Sequence, residues 1–502
     1  AFPVRLTGNP PFVQGGSIDQ TLGTDANGLV FLNSLGTPGF AISNEGSGKV
    51  PYAQNWSLSV SLELFRNTIV EFAYVGNKGT HLYMPLVNIN PKDIDFVEGL
   101  EAQNIAAENT FADPLGRRNL LGAVVAIQRN SITSPFFGFN NLLSFFDPSA
   151  NSIRHAGYVD VRRRFSGGLS FTANYTYGKS IDDASDSSPD TRTLTTPTTL
   201  GQHVSYGEPR SEDRAISTFD IKHNFTSTFI YDLPFGKGRA LLSDAPAIVN
   251  GVLGGWSMSG VFRLQGGQPF VPFITDTNRL GGTNRAIRLD IIPGVPIKNP
   301  LYSGSCSIGA VCEPYINPAA FMRPAKGSLG NAPRTLDIRA PMQEYFDFSI
   351  QKNFPFPFGR DERRRINFRV DFINAFNHPN LRYGNTGNTP VGWGNLPNEA
   401  LLAQADINAW NSFAPGRSAT LTQVNNLIIN SRLTSGALPL DFFRVPVPEG
   451  FATANPNSFN ITTLEGLKLY RLRQAFTPGF GTLGASPPYQ PRYIQFGIRI
   501  FF

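Results

Sequence analysis

Four acidic residues, Asp182, Asp183, Asp186 and Asp190, crowd one stretch of the chain and supply hard carboxylate oxygens of the kind that bind Ca²⁺. Their spacing lacks the central Gly and closing Glu of a calcium loop, so a solvated acidic loop is the stronger reading and a metal site the weaker. The five histidines, His81, His155, His203, His223 and His378, are isolated and show no metal-ligand spacing. Ser152 with His155 suggests a hydrolase pair, but residues three apart on a strand face opposite ways, which parts the nucleophile from its base. Cys306 and Cys312 lie close together in a Gly/Ser-rich segment. They are too few for zinc and well placed to close a small loop, as a disulfide in an oxidising compartment or as a reduced pair otherwise. Arg162, Arg163 and Arg164, with Arg363, Arg364 and Arg365, suit lipid headgroups or the mouth of a pore, and equally well ordinary solvated turns. Trp393, Asn408, Trp410 and Asn411 offer stacking and hydrogen bonding to a carbohydrate or peptide. None of these groups forms a catalytic constellation, so no enzyme activity, cofactor or firm metal site is expected, and ligand-binding residues stay unassigned.

The elements that would position these residues follow from composition. The chain has 502 residues with 41 Phe and 49 Gly against 4 Met, and only 16% of it is charged, below the roughly 25% of soluble domains. No window approaches the ~18 apolar residues of a transmembrane helix, so any membrane span is made of strands. The net charge of +6 is scattered rather than gathered on one face, which argues against nucleic acid. The chain starts at Ala1 without a charged-then-apolar leader and reads as a mature or truncated product.

The last stretch is the clearest element. Ile494, Phe496, Ile498, Ile500 and Phe502 share one strand face, opposite Tyr493, Gln495, Gly497 and Arg499. As a soluble edge strand this face invites aggregation; as a barrel strand it faces lipid. A strand of a soluble sandwich is the alternative. The same inverted alternation, apolar on one face and small-polar on the other, recurs in four hairpins. These are Trp56–Leu64 with Val70–Tyr74, Val159–Phe165 with Leu169–Tyr177, Phe225–Leu233 with Trp256–Leu264, and Phe346–Ile350 with Ile366–Phe372. With the terminal strand they make nine clear strands. Weaker signals, among them Gly28–Leu32 and Gly122–Gln128, bring the total to about a dozen to fourteen. Residues 1–50 are loop-rich, and the rest reads as an outer-membrane barrel with long loops at about 77–151, 182–217, 266–344 and 377–490. Connections within hairpins are short, those between hairpins long, the asymmetry of short periplasmic turns and long extracellular loops. Trp56, Tyr74, Tyr177, Tyr231 and Trp256 near strand ends suit aromatic girdles, although core packing explains any one of them.

Several motifs carry a family resemblance. Asn55-Trp56-Ser57-Leu58-Ser59-Val60, Ala73-Tyr74-Val75-Gly76-Asn77-Lys78-Gly79-Thr80-His81-Leu82 and Leu233-Pro234-Phe235-Gly236-Lys237-Gly238 are three of them. Gly254-Gly255-Trp256, Gly266-Gly267-Gln268-Pro269-Phe270, Asn317-Pro318-Ala319-Ala320-Phe321, Gly327-Ser328-Leu329-Gly330-Asn331 and Phe376-Asn377-His378-Pro379-Asn380 follow in order. In this the chain resembles the C-terminal barrel portion of an Oar-like TonB-dependent outer-membrane receptor of the acidobacterial type. The resemblance implies an all-β transmembrane antiparallel barrel of about 22 strands closed by a plug, and import of a carbohydrate, peptide or chelate. No plug and no energy-coupling box are found here, so the chain is read as a fragment, with a half-barrel completed by a partner chain or a small barrel as alternatives. Expected partners are the bilayer and lipopolysaccharide, the outer-membrane assembly machinery, for which the terminal strand resembles the recognition signal, and the TonB complex through the missing plug. An adhesive surface protein and a passive porin are the competing functions.

Overall fold

The computed structural model describes residues 49–65, 67–84, 147–185, 210–275, 286–304, 313–325, 330–355, 365–383, 399–433, 441–477, 479–485 and 491–501. Short stretches between 40 and 145, together with Trp393, Leu438 and Pro439, are also described. Nine long strands form one antiparallel sheet in chain order. They are β1 (Tyr52–Phe65), β2 (Thr68–Met84), β3 (Asp147–Ser166), β4 (Leu169–Asp182), β5 (His223–Asp232), β6 (Trp256–Gln265), β7 (Gln343–Pro355), β8 (Arg365–Ile373) and β9 (Tyr493–Phe501).

Each is the strand that alternation predicts, and the register aligns their apolar faces. One row runs Val60, Phe72, Val159, Tyr175, Phe225, Leu264 across β1–β6. A second runs Phe171, Phe229, Gly260, Phe348, Phe372, Ile494 across β4–β9. Gly260 belongs in that row because Phe229 covers it: a Cβ there would lie 2.8 Å from the Phe229 ring. Among the described residues most of this face is left uncovered by protein. Leu58 is 70% exposed and Ile498 71%, a pattern that only lipid makes favourable.

The opposite face is polar along equally long rows. Ser59, Ala73, Tyr158, Thr176, Asn224, Gln265 and Gln343 are successive register partners. Ser170, Ile230, Ser259, Ser349, Asp371 and Gln495 form another row. β1 and β9 stand at the two ends of the strand order.

All short connections lie at one end. The β3–β4 turn is Gly167-Gly168 with φ of 61° and 81°, the left-handed pair that a two-residue hairpin loop of type I′ requires. In the β1–β2 turn Asn67 takes φ 66°. β5 and β6 are joined through a short helix, α1 (Ala247–Leu253). At the other end, residues 85–146, 183–222, 266–342 and 374–492 make the long excursions. The strands reach further toward these excursions than alternation suggests. Asn77 to Gly79, expected at the start of a long loop, lie inside β2 and pair with β1 and β3, because backbone bonds continue the ladder above the apolar band. Two weak expectations divide: Ala126–Gln128 is a short strand paired with Thr110–Ala112, whereas Gly28–Leu32 lies outside the described residues.

The described residues of 266–342 and 374–492 share hydrophobic cores. Phe270, Leu289, Ile316 and Phe321 of the first share a core with Trp393, Phe451, Phe476 and Phe480 of the second. The ring centroids of Phe270 and Phe480 are 5.5 Å apart. A second core packs under helices α2 (Gln404–Phe413), α3 (Leu421–Asn430) and α4 (Leu464–Ala475). Thr420 and Thr463 cap the last two, each hydroxyl accepting a backbone N–H of the first turn. Among the described residues no helix is long and apolar enough to cross a membrane.

Candidate functional site: a polar wall beneath a clamped cap

The polar face of the sheet is a hydrogen-bonded surface. The Tyr158 hydroxyl donates to Glu71 Oε1 at 2.9 Å, and Arg162 Nε donates to Asp160 Oδ2 at 2.9 Å on the same strand. Thr172 and Thr228 hydroxyls meet at 2.6 Å across β4 and β5. Farther round, Arg369 Nε donates to Asp371 Oδ1 at 2.6 Å, and Asn367 Nδ2 to Asn353 Oδ1 at 3.0 Å. Acids and bases alternate along this wall, so it offers donors and acceptors of both signs to a polar solute rather than a field of one sign.

Above it, the folded cap is tied to the strand ends by arginines. Arg334, from residues 330–339, pairs with Asp182 at the end of β4, and both side chains are 2% exposed. The guanidinium is saturated: Nε donates to the Asp213 carbonyl at 2.8 Å, one terminal nitrogen to Ser185 Oγ at 2.7 Å, and the other to the Asp182 carbonyl at 2.9 Å. Arg288 pairs with Asp213 at the same depth. Arg339 holds Asp220 at 2.7 Å, and Asp220 in turn accepts the Ser180 N–H at 2.7 Å. Three Arg–Asp pairs thus join the segment 288–339 to the rim made by β4 and residues 210–220. Within the cap, burial pushes the Tyr383 phenol well above its ordinary range, its hydroxyl donating to the Ile338 carbonyl at 3.1 Å.

The acidic cluster read from sequence therefore divides. Asp182 is engaged by Arg334 and Ser185, and Asp183 accepts the Asn151 N–H at 2.7 Å. Asp186 and Asp190 lie outside the described residues, as do Cys306, Cys312, His203, Arg363, Arg364 and Phe502. Among the described residues no group of three or more His, Cys, Asp or Glu is placed to hold a metal ion. Ser152 and His155 do face opposite ways, since Ser152 is the partner of Asp182 while His155 sits beside Lys179. His155 and His223 accompany the aromatic residues of the apolar face, with ring nitrogens 2.7 Å from the Tyr74 hydroxyl and 2.8 Å from that of Tyr175. His81 packs edge-on against Tyr52, and the His378 N–H donates to Asn374 Oδ1 at 3.0 Å. Ile494, Phe496, Ile498 and Ile500 line the uncovered face of β9 as alternation predicts.

Trp393 and Trp410 are 1% and 5% exposed in the two cap cores, and the Asn411 amide pairs with the Ala419 backbone, so these side chains are engaged inside the cap. Their rings complete apolar cores that the sequence did not reveal. The clamp arginines also went unseen, because Arg334 and Asp182 are far apart in the chain and no local pattern couples them.

Comparisons with known proteins give two solved structures and one family profile. The solved outer membrane transporter YddB from Escherichia coli is 8% identical over 68% of this chain and 31% of its own, with a TM-score of 0.30. The siderophore receptor PiuA from Acinetobacter baumannii is 9% identical over 64% of this chain and 35% of its own, with a TM-score of 0.22. The chain spans about a third of the length of these two structures. No curated protein matches it. The profile of the outer membrane beta barrel domain, in contrast, matches residues 2–400. With its antiparallel strands, lipid-facing apolar band and polar inner wall, the chain belongs to the outer membrane beta barrel domain family and resides in the bacterial outer membrane.

Proposed function

We propose that the chain is the barrel portion of an Oar-like TonB-dependent transporter that imports a nutrient, with the cap as its outer binding surface and the polar wall as its path. The observation that carries this reading is the largely polar row from Ser59 to Gln343, lying below a cap held by buried ion pairs. Such a wall suits passage of a hydrated solute, and a fixed cap suits selection of one. The ordered motifs from Asn55 onward support the family assignment. The reading calls for a plug with an energy-coupling box, and for further strands between the edges of β1 and β9, from sequence outside these residues or from a partner chain. It places the short turns in the periplasm and the cap outside the cell. No residue is assigned a catalytic role.

The test is growth on a panel of high-mass sugars, peptides and metal chelates. A strain lacking this gene and a strain lacking the inner-membrane energising complex should lose the same nutrient. If neither deletion changes the panel while cell or matrix adhesion falls, the adhesive reading replaces import. If the nutrient is lost only with the gene, a passive porin replaces it.

A further inference from the structure

Helix α1 is built the wrong way round for water. Ile248, Val249, Val252 and Leu253 fall on one side by their i, i+4 spacing, and they are 82%, 37%, 62% and 48% exposed. Asn250, on the other side, accepts the Lys237 backbone N–H at 2.7 Å. A helix on a soluble surface places its apolar stripe inward and its polar residues outward.

The helix is also fixed in place. Trp256 Nε1 donates to the Val252 carbonyl at 2.8 Å, and Lys352 Nζ donates to the carbonyls of Gly251 and, at 3.1 Å, of Val252. Trp256 and Lys352 are register partners on the apolar face of the sheet. Lys352 is buried, its ammonium 5.5 Å from the Trp256 ring centre and 5.0 Å from that of Phe354. The last carbonyls of α1 are thus anchored to the lipid-facing side of the wall, where the exposed stripe continues the apolar band past the ends of β6 and β7.

We propose that α1 lies in the headgroup–acyl boundary of the leaflet at the turn end, with the Ile248–Val252 stripe among the lipids, and that it fixes the depth and tilt of the barrel. The occupant is the lipid surface itself, because the stripe is continuous with the lipid-facing face. Trp256 and Lys352 are the residue types that settle at such a boundary. The inference rests on the membrane-facing wall and is independent of any transport.

The test uses the full chain in phosphatidylcholine vesicles with both native cysteines replaced by serine. Ile248→Cys and Val252→Cys carry an environment-sensitive fluorophore, with Lys237→Cys as the reference outside the stripe. Lipids bearing a nitroxide at a shallow acyl carbon should quench the two stripe labels at least threefold more than the reference, and aqueous iodide should do the reverse. Iodide quenching equal to that at position 237 would place the helix in water and overturn the proposal. Protection from both quenchers would mean that protein, either a second copy or another domain, covers it, and would overturn it too. Val249→Cys supplies a third site should either label disturb the fold.

Discussion

Replacing Arg334 with methionine removes a guanidinium that makes four polar contacts inside the protein and leaves the Asp182 carboxylate, 2% exposed, with only the Ser185 hydroxyl for company among the described residues. Removing one member of a buried ion pair costs about 3–5 kcal/mol, chiefly because the surviving charge stays desolvated. At about 1.4 kcal/mol per tenfold, the junction between cap and rim should open some 10² to 10⁴ times more often. Hydrogen exchange in reconstituted protein reads this directly at the amides that the junction protects. Ser217 N–H donates to the Ser180 carbonyl at 3.0 Å, Asp183 N–H to Asn151 at 3.2 Å and Ala332 N–H to Leu289 at 3.0 Å. These should speed up, while amides paired between β3 and β4 in the middle of the wall keep their rates. Acceleration below tenfold at the junction would refute the view that Arg334 clamps the cap. Equal acceleration in mid-wall would mean that the arginine supports the whole barrel instead.

Three other outcomes follow from the same structure. Gly260→Val brings a side chain against the Phe229 ring and the Asp347 carbonyl, 2.8 and 3.0 Å from a Cβ; overpacking of this kind should lower stability in urea titration by about 1–3 kcal/mol. Phe496→Arg, on the uncovered face of β9, should cost about 2–4 kcal/mol in lipid, whereas Gln495→Arg on the polar face should cost much less. Tyr383 is held neutral by burial, so its phenol ionises later in the folded cap than in the unfolded one. Its contribution is complete below pH ~10 and declines above it by about 1.4 kcal/mol per pH unit, a slope in cap stability that Tyr383→Phe should remove.

The wall was legible because barrel strands write their two environments into alternate positions. Trp56 to Leu64 and Ile494 to Ile500 declare a face with no knowledge of their partners, and Gly167-Gly168 declares the turn. Even the direction of the loops could be read, since short and long connections alternate along the chain. The cap could not. Its cores join Phe270 and Phe321 to Phe480, contacts between segments rich in Gly, Pro and Asn whose strands are too short to show a period. The helical signal was present but brief: Ile407 with Trp410, and Val424 with Ile428, are the buried apolar positions of α2 and α3. About three turns of helix inside a long polar connection do not stand out from it.

The use of ion pairs at the junction, with apolar cores kept within the cap, has a physical logic. The rim belongs to a wall whose inner face is polar and hydrogen-bonded, so an apolar docking patch would have no counterpart there. Burying three Arg–Asp pairs returns little net stability, because desolvation consumes most of the Coulombic gain. What it returns is orientation. Arg334 reads two carbonyls, a carboxylate and a hydroxyl from two rim segments at once, and a cap rotated by one residue would satisfy few of them. Strength and alignment therefore have separate sources: the aromatic cores hold the cap folded, and the arginines decide how it sits over the wall. Replacing both partners, Arg334→Met with Asp182→Leu, should accordingly restore most of the stability lost in the single variant while leaving the cap less precisely placed. That loss would appear as broadened spin-label distances between cap and strands at unchanged thermal stability. A double variant as unstable as the single one would show that the pair supplies strength after all.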